Sequence, residues 1–200
     1  MGLAVGPDCM DEIGRKIFHM LSLAYLAAYH FIGYPRVLPW FLGWSACVVA
    51  IETGRFYVPS LNQGLAAFFG KMARESELNH YSGIFHTTLG VLLVILAFGD
   101  RPKLIVAPVL YLALGDAAAA LIGRFFGRHK LFGGKKSLEG SLACLAVCLL
   151  VGGWLGLPWP AAFAGALSAT LIELLPNNRY FNDNLWMPLG AAIALSFFAS

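Results

Sequence analysis

The sequence of 200 residues is 58% hydrophobic and 12% charged, with a formal net charge of +3 and a mean hydropathy of +0.70. A soluble domain carries about a quarter of its residues as charges, so this composition excludes one and indicates an integral membrane protein. The small positive excess is gathered in clusters, which speaks to membrane orientation and local anion binding and argues against a nucleic-acid partner.

Apolar runs at 17–34, 37–51, 82–98, 104–123, 138–155, 160–175 and 185–199 predict an all-α, polytopic membrane protein of about seven transmembrane helices. Ahead of the first run, Asp8, Asp11 and Glu12 precede Arg15 and Lys16. That is a poor basic flank for a cleaved signal, so the first span is read as retained. Arg15-Lys16-x-x-His19 places Lys16 and His19 at neighbouring positions of one helical face, although anchoring by basic residues at a helix end would account for them too. Glu52-x-x-Arg55 closes the second run, where a local ion pair is the simplest role for Arg55. From Tyr57 to Tyr81 the chain is too polar to span. There Leu61, Leu65, Phe68, Phe69 and Met72 recur at near-helical spacing opposite Asn62, Lys71, Arg74 and Glu75, which predicts an interfacial amphipathic helix, either a lid or a packed connector. No linker or low-complexity tract divides the chain, so residues 1–200 are read as a single membrane-embedded domain.

The stretch 115–141, GDAAAALIGRFFGRHKLFGGKKSLEGS, carries five of the fourteen Lys and Arg residues. Ala119, Ala120, Gly123 and Gly127 recur every three to four positions, giving a helix a smooth face that admits a close neighbour, backbone or ligand. Asp116 follows an apolar run, and a carboxylate there must face protein or water. Arg124, Arg128, His129, Lys130, Lys135 and Lys136 follow, interleaved with Gly127, Gly133 and Gly134, which lets a backbone turn tightly and aim N–H groups at an anion. Ser137 can cap the next helix, whose dipole adds to the same positive field. Glu139 completes a set suited to a polyphosphate with a divalent metal. A topology signal would explain the cations alone. A Walker-type loop fails on spacing, because five residues separate Gly127 from Gly133 and no strand precedes them.

Counting loops alternately, eleven Lys and Arg residues fall on one side and only Arg36, Arg101 and Lys103 on the other. The positive-inside rule then puts the N-terminus and the basic loop in the cytoplasm and the C-terminus opposite. Most acids, with His19 and His80, fall near the cytoplasmic ends, which favours an enzyme fed from that side over a transporter with midplane sites. Glu173, just ahead of Pro176, needs a partner or water, and Asp183 beside Asn182 could cap the last helix. Cys144 and Cys148, one helical turn apart, are read as small apolar-compatible residues in a span.

The ordered pattern Asp116-x-x-Ala119-x-x-x-Gly123-x-x-x-Gly127-x-x-Lys130, followed by Lys135-Lys136-Ser137-Leu138-Glu139-Gly140, resembles the CTP-binding signature of the CTP-dependent polyprenol kinase family. Dolichol kinases, phytol kinases and a CTP-dependent diacylglycerol kinase belong to it. Arg15-Lys16-x-x-His19, Glu52-x-x-Arg55 and the segment from Glu173 to Pro188 are similar to further elements of that family, with Asn182 where a second acid is expected. The resemblance implies transfer of the γ-phosphate of CTP to a membrane lipid alcohol. Gly123, Gly127, Arg128, Lys130, Lys135, Ser137 and Gly140 would bind nucleotide, Asp116, Glu139 and Lys136 would be catalytic, and Asp116 and Glu139 would hold Mg2+ or another divalent metal. Which carboxylate is the base stays open. Lys16, His19, Glu52, Glu173 and Asp183 are additional candidates. A cytidylyltransferase that makes CDP-lipid, and a non-enzymatic transporter or scramblase, are the rival readings.

Overall fold

In a computed structural model, residues 20–69, 80–134, 136–178 and 181–198 are described. Each predicted apolar run is a helix within them. A 3-10 turn at Met20–Ser22 leads into α1 (Leu23–Ile32), followed by α2 (Val37–Tyr57), α3 (Pro59–Phe69) and α4 (Gly83–Phe98). Next come α5 (Lys103–Phe125), a hairpin of β1 (Lys130–Leu131) and β2 (Lys136–Ser137), α6 (Leu138–Trp154), α7 (Trp159–Leu174) and α8 (Asp183–Ser196). Local chemistry sets the boundaries. Ser82 accepts from the Phe85 N–H at 3.3 Å, Ser137 from Gly140 at 3.2 Å and Asn182 from Asn184 at 3.0 Å, each relieving a helix-start donor that would otherwise lack a partner. Pro158 and Pro160 flank the first residue of α7, where a missing N–H costs nothing.

Two of these helices, α2 with 21 residues and α5 with 23, are long and apolar enough to cross a bilayer, with mean hydropathies of 1.4 and 2.0. At about 1.5 Å per residue they reach roughly the ~30 Å hydrocarbon thickness. The remaining apolar helices are shorter, because proline, glycine and polar caps interrupt the runs. Their outer surfaces nonetheless bear Phe31, Leu150, Trp154, Trp159 and Leu171, all more than half exposed. Apolar surface on that scale matches lipid and not water, and the chain is a membrane protein. Of the predicted interfacial helix, α3 forms the first part, while residues 70–79 lie outside the described ones.

The central element is α5. On one side Tyr111 and Leu112 pack with Cys144, Cys148, Ala162, Ala166 and Met187. On the other, Ile105 and Val109 join Tyr29, Val37, Phe41, Val91 and Ile95. Pro108 lies within α5 and cannot donate to the preceding turn. Three residues later the helix widens into a π turn, Tyr111–Gly115, that ends on Asp116. Such insertions often occur at functional sites. Here the wider turn leads directly into the buried Asp116, and a methyl on Gly115 would lie 2.8 Å from Cys148 Sγ. A related device sits in α8, where Pro188 leaves the Asn184 carbonyl without its helical donor and α4 approaches through Gly90. A methyl there would lie 3.0 Å from the carbonyl oxygens of Asn184 and Leu185.

Candidate active site

Four polar side chains meet where α5, β2, α7 and α8 converge. Lys136 Nζ donates to Glu173 Oε1 at 2.5 Å and lies 3.9 Å from Asp183 Oδ2. Asp116, at the end of the π turn, acts electrostatically on the same lysine. All three acids are buried, Asp116 at 4%, Glu173 at 3% and Asp183 at 5% exposure. Burial by itself draws the Lys136 pKa down, but Glu173, Asp183 and Asp116 outweigh it, so the value ends above that of an ordinary lysine and the ammonium stays charged. Three carboxylates thus gather around one ammonium in a buried site. Glu173 Oε2 in addition has no hydrogen-bond partner.

Above this acid cluster lies the basic hairpin. Its strands pair antiparallel, Lys130 opposite Ser137 and Leu131 opposite Lys136, around a turn in which Gly133 and Gly134 take φ of +67° and +94°. Arg128, His129 and Lys130 are exposed, and Lys130 Nζ donates to the Gly123 carbonyl at 3.0 Å. Glu139 fastens the hairpin to α6. It accepts the His129 backbone N–H at 3.1 and 3.3 Å, and its Oε1 lies 2.7 Å from His129 Nδ1. Lys136 is therefore the residue that joins the cationic surface to the acids beneath it.

The small-residue stripe finds its close neighbour in backbone. A methyl on Gly140 would lie 2.6 Å from the Ala119 carbonyl oxygen, one on Gly123 2.8 Å from Ser137 Oγ, and one on Gly127 2.7 Å from the same oxygen. Ala119 and Gly123 of α5 thus receive Ser137 and Gly140 at the start of α6, which welds α5 to α6 and fixes the hairpin between them, whereas Gly127, expected on the same helix face, lies past the end of α5 at Phe125 and meets Ser137 from the loop. Ser137 is itself buried and spends its hydroxyl on the cap.

Among the sequence candidates, Asp116, Lys136, Glu173 and Asp183 are brought together, although Glu173 and Asp183 were only additional ones. Glu139 faces His129, a residue the sequence offered merely as one of several cations. Asn182, not Asp183, supplies the helix cap. Glu52 sits elsewhere, buried against Arg55 at 3.0 Å. It also accepts the Ser82 N–H, while Arg55 donates to Asn62 and to the His80 carbonyl, so this pair ties α2, α3 and the approach to α4. Cys144 and Cys148 are packed in the core, their sulfurs 4.0 Å apart. Lys16, His19 and Lys135 lie outside the described residues. Among the described residues no group of three His, Cys, Asp or Glu side chains is set to hold a metal.

Comparison with known proteins finds relatives along most of the chain. The chain is 28% identical over 199 residues to an uncharacterised protein of Rickettsia prowazekii, covering 94% of each. To the phytol kinase of Synechocystis it is 27% identical over 195 residues, 91% of this chain and 77% of that protein. With the CTP-dependent diacylglycerol kinase 1 of Saccharomyces cerevisiae it shares 31% over 141 residues, 68% of this chain and 47% of the yeast protein. The relatives that carry a functional name are lipid kinases, and this chain is similar to them over most of its length. No family model matches it, and no solved structure does. Phosphoryl transfer to an alcohol, the reaction those relatives are named for, asks a protein mainly for charge neutralisation, positioning and a proton acceptor. The hairpin offers the cations for the first, and the acids beneath it are candidates for the last.

Proposed function

We propose that the protein transfers the γ-phosphate of CTP to the hydroxyl of a membrane lipid alcohol of the polyprenol, phytol or diacylglycerol type. The observation that carries this reading is Lys136, held charged at the junction of an exposed cationic hairpin and a buried trio of carboxylates. In this reading Arg128, Lys130 and Lys135 receive the nucleotide phosphates from the cytoplasm. The weld of Gly123, Gly127, Ser137 and Gly140 keeps the hairpin in register with Asp116. Glu139 positions it through His129.

A divalent cation such as Mg2+ fits these residues, because Asp116 and Asp183 bring buried carboxylate oxygens, the hard donors it takes, to the same lysine, and a phosphate-bound Mg2+ commonly needs only one or two carboxylates from protein. Asp116 would hold it, and the bound cation would neutralise charge between the phosphates. Glu139, whose oxygens are occupied by His129, has less freedom to serve as a ligand. Lys136 would then orient the reacting phosphate against the acids.

The topology that suits this arrangement has the N-terminus and hairpin in the cytoplasm and the C-terminus opposite. Product analysis tests the chemistry. Protein in liposomes with CTP and a lipid alcohol should release CDP and a lipid phosphate, whereas release of pyrophosphate with CDP-lipid, seen only when a lipid phosphate is supplied in place of the alcohol, would replace the kinase reading by that of a cytidylyltransferase.

A further inference from the structure

Glu173 Oε2 is the one acid oxygen among the described residues that is buried and without a hydrogen-bond partner. Its sister oxygen is satisfied by Lys136 at 2.5 Å, so the carboxylate is anchored through Oε1 and Oε2 is left to accept. A buried acceptor left unsatisfied is costly, which makes it a site for a donor. A carboxylate oxygen in its ionised form accepts only.

Its position along α7 says what kind of donor fits. Ala162, Ala166 and Ala169 line the inner face of this helix, while Leu167, Leu171 and Leu175 are exposed on the outer one. Glu173 lies in the last turn, just where the apolar helix gives way to Pro176, Asn177 and Asn178. Glu173 shares the buried face with Ala166 and Ala169, so an amphiphile brings its head to this level from between the helices while its tail stays in the lipid. An uncharged hydroxyl can meet Oε2 without adding charge to the cluster.

We propose that Glu173 Oε2 binds the hydroxyl of the acceptor alcohol and takes its proton, an inference that rests on the kinase reading above. The alcohol oxygen forms a bond to the γ-phosphorus while the bond from that phosphorus to the β,γ-bridging oxygen breaks. The electron pair leaves with CDP, and the proton passes to Glu173. Lys136, bonded to Oε1, fixes the direction in which Oε2 points and is a positioning residue for this step.

The test uses the full chain in liposomes with γ-labelled CTP and a long-chain alcohol. Glu173→Gln keeps an oxygen that can accept from the hydroxyl but cannot take its proton. It should lower kcat by about 100-fold or more, the usual contribution of a general base, while KM for the alcohol and for CTP change by less than about threefold. Glu173→Asp, which restores the carboxylate one methylene shorter, should recover at least about tenfold of the lost kcat. Wild-type kcat in Glu173→Gln overturns the proposal, as does a loss confined to KM for CTP, which would make Glu173 a nucleotide or metal residue. If Glu173→Gln does not insert, Glu173→Asp decides: lowered kcat with both KM values kept supports the role, and a change confined to KM for CTP refutes it. Failure of the wild-type protein to label any alcohol from CTP would defeat the kinase reading itself, and this inference with it. Labelling by wild type with undiminished Glu173→Gln defeats the inference alone.

Discussion

Lys136 stands between a surface of cations and a cluster of carboxylates, and its side chain is only 19% exposed. Removing one partner of a buried charged group costs about 3 kcal/mol or more, because the remaining charge keeps its desolvation without compensation. Lys136→Ala should therefore destabilise the protein by that order as well as abolish transfer, whereas Lys130→Ala, at an exposed position, should leave the midpoint of thermal unfolding in detergent nearly unchanged. The two acids of the central stretch separate in the same way. Asp116→Asn should lower kcat by about 100-fold with membrane insertion intact, since an amide is cheaper to bury than a carboxylate. Glu139→Gln should mainly raise KM for CTP, because it loosens a hairpin and leaves the buried cluster alone. Steady-state kinetics on the two variants distinguishes these outcomes, and equal loss of kcat in both would return Glu139 to the chemistry.

At the scale of elements, the α5–α6 weld is the most exacting contact near the site. A methyl at Gly140 meets the Ala119 carbonyl at 2.6 Å, and a backbone atom cannot rotate away as a flexible side chain can. Gly140→Ala should cost about 1–3 kcal/mol through overpacking and carry activity down with it by shifting the hairpin. Gly153 makes a control on the same helix, since nothing lies within 4 Å of an added methyl. Gly153→Ala should be neutral or slightly stabilising in the same unfolding assay. Equal stability of both variants would mean that the helices do not approach as closely as the glycines allow.

At the scale of the molecule, the bundle packs around α5 with the acid cluster and the hairpin at one end. If about seven spans thread the bilayer, the cytoplasmic side holds the N-terminus and the hairpin and the far side holds the C-terminus. A cysteine placed at Gly133 and another at Ser200, in a background lacking the exposed Cys47, should label from opposite faces of oriented vesicles. Labelling from one face would remove a span from the count. Much of this was legible beforehand, because hydropathy marks apolar helices and Ser137 is a strong cap residue at the start of α6. The smooth face at Ala119, Gly123 and Gly127 was legible as a spacing, but not its partner, since small residues admit a backbone and a ligand equally. Least visible was the pairing of Lys136 with Glu173, which lie 37 positions apart on different elements. Only the packing of α7 and α8 against α5 chooses that acid over Glu139, three residues away from the lysine.

The central claim is that this chain moves a phosphoryl group from CTP to a lipid hydroxyl at the Asp116–Lys136–Glu173 cluster, and one measurement bears on it most directly. Purified protein in liposomes, supplied with Mg2+ and γ-labelled CTP, is offered polyprenol, phytol, geranylgeraniol or diacylglycerol, and the lipid extract is counted for wild type and Asp116→Asn. The account predicts label in at least one extracted lipid with wild type, little when γ-labelled ATP replaces CTP, and loss of label by about 100-fold in Asp116→Asn. Label that arrives as readily from ATP would contradict the choice of donor, and label undiminished in Asp116→Asn would contradict the site.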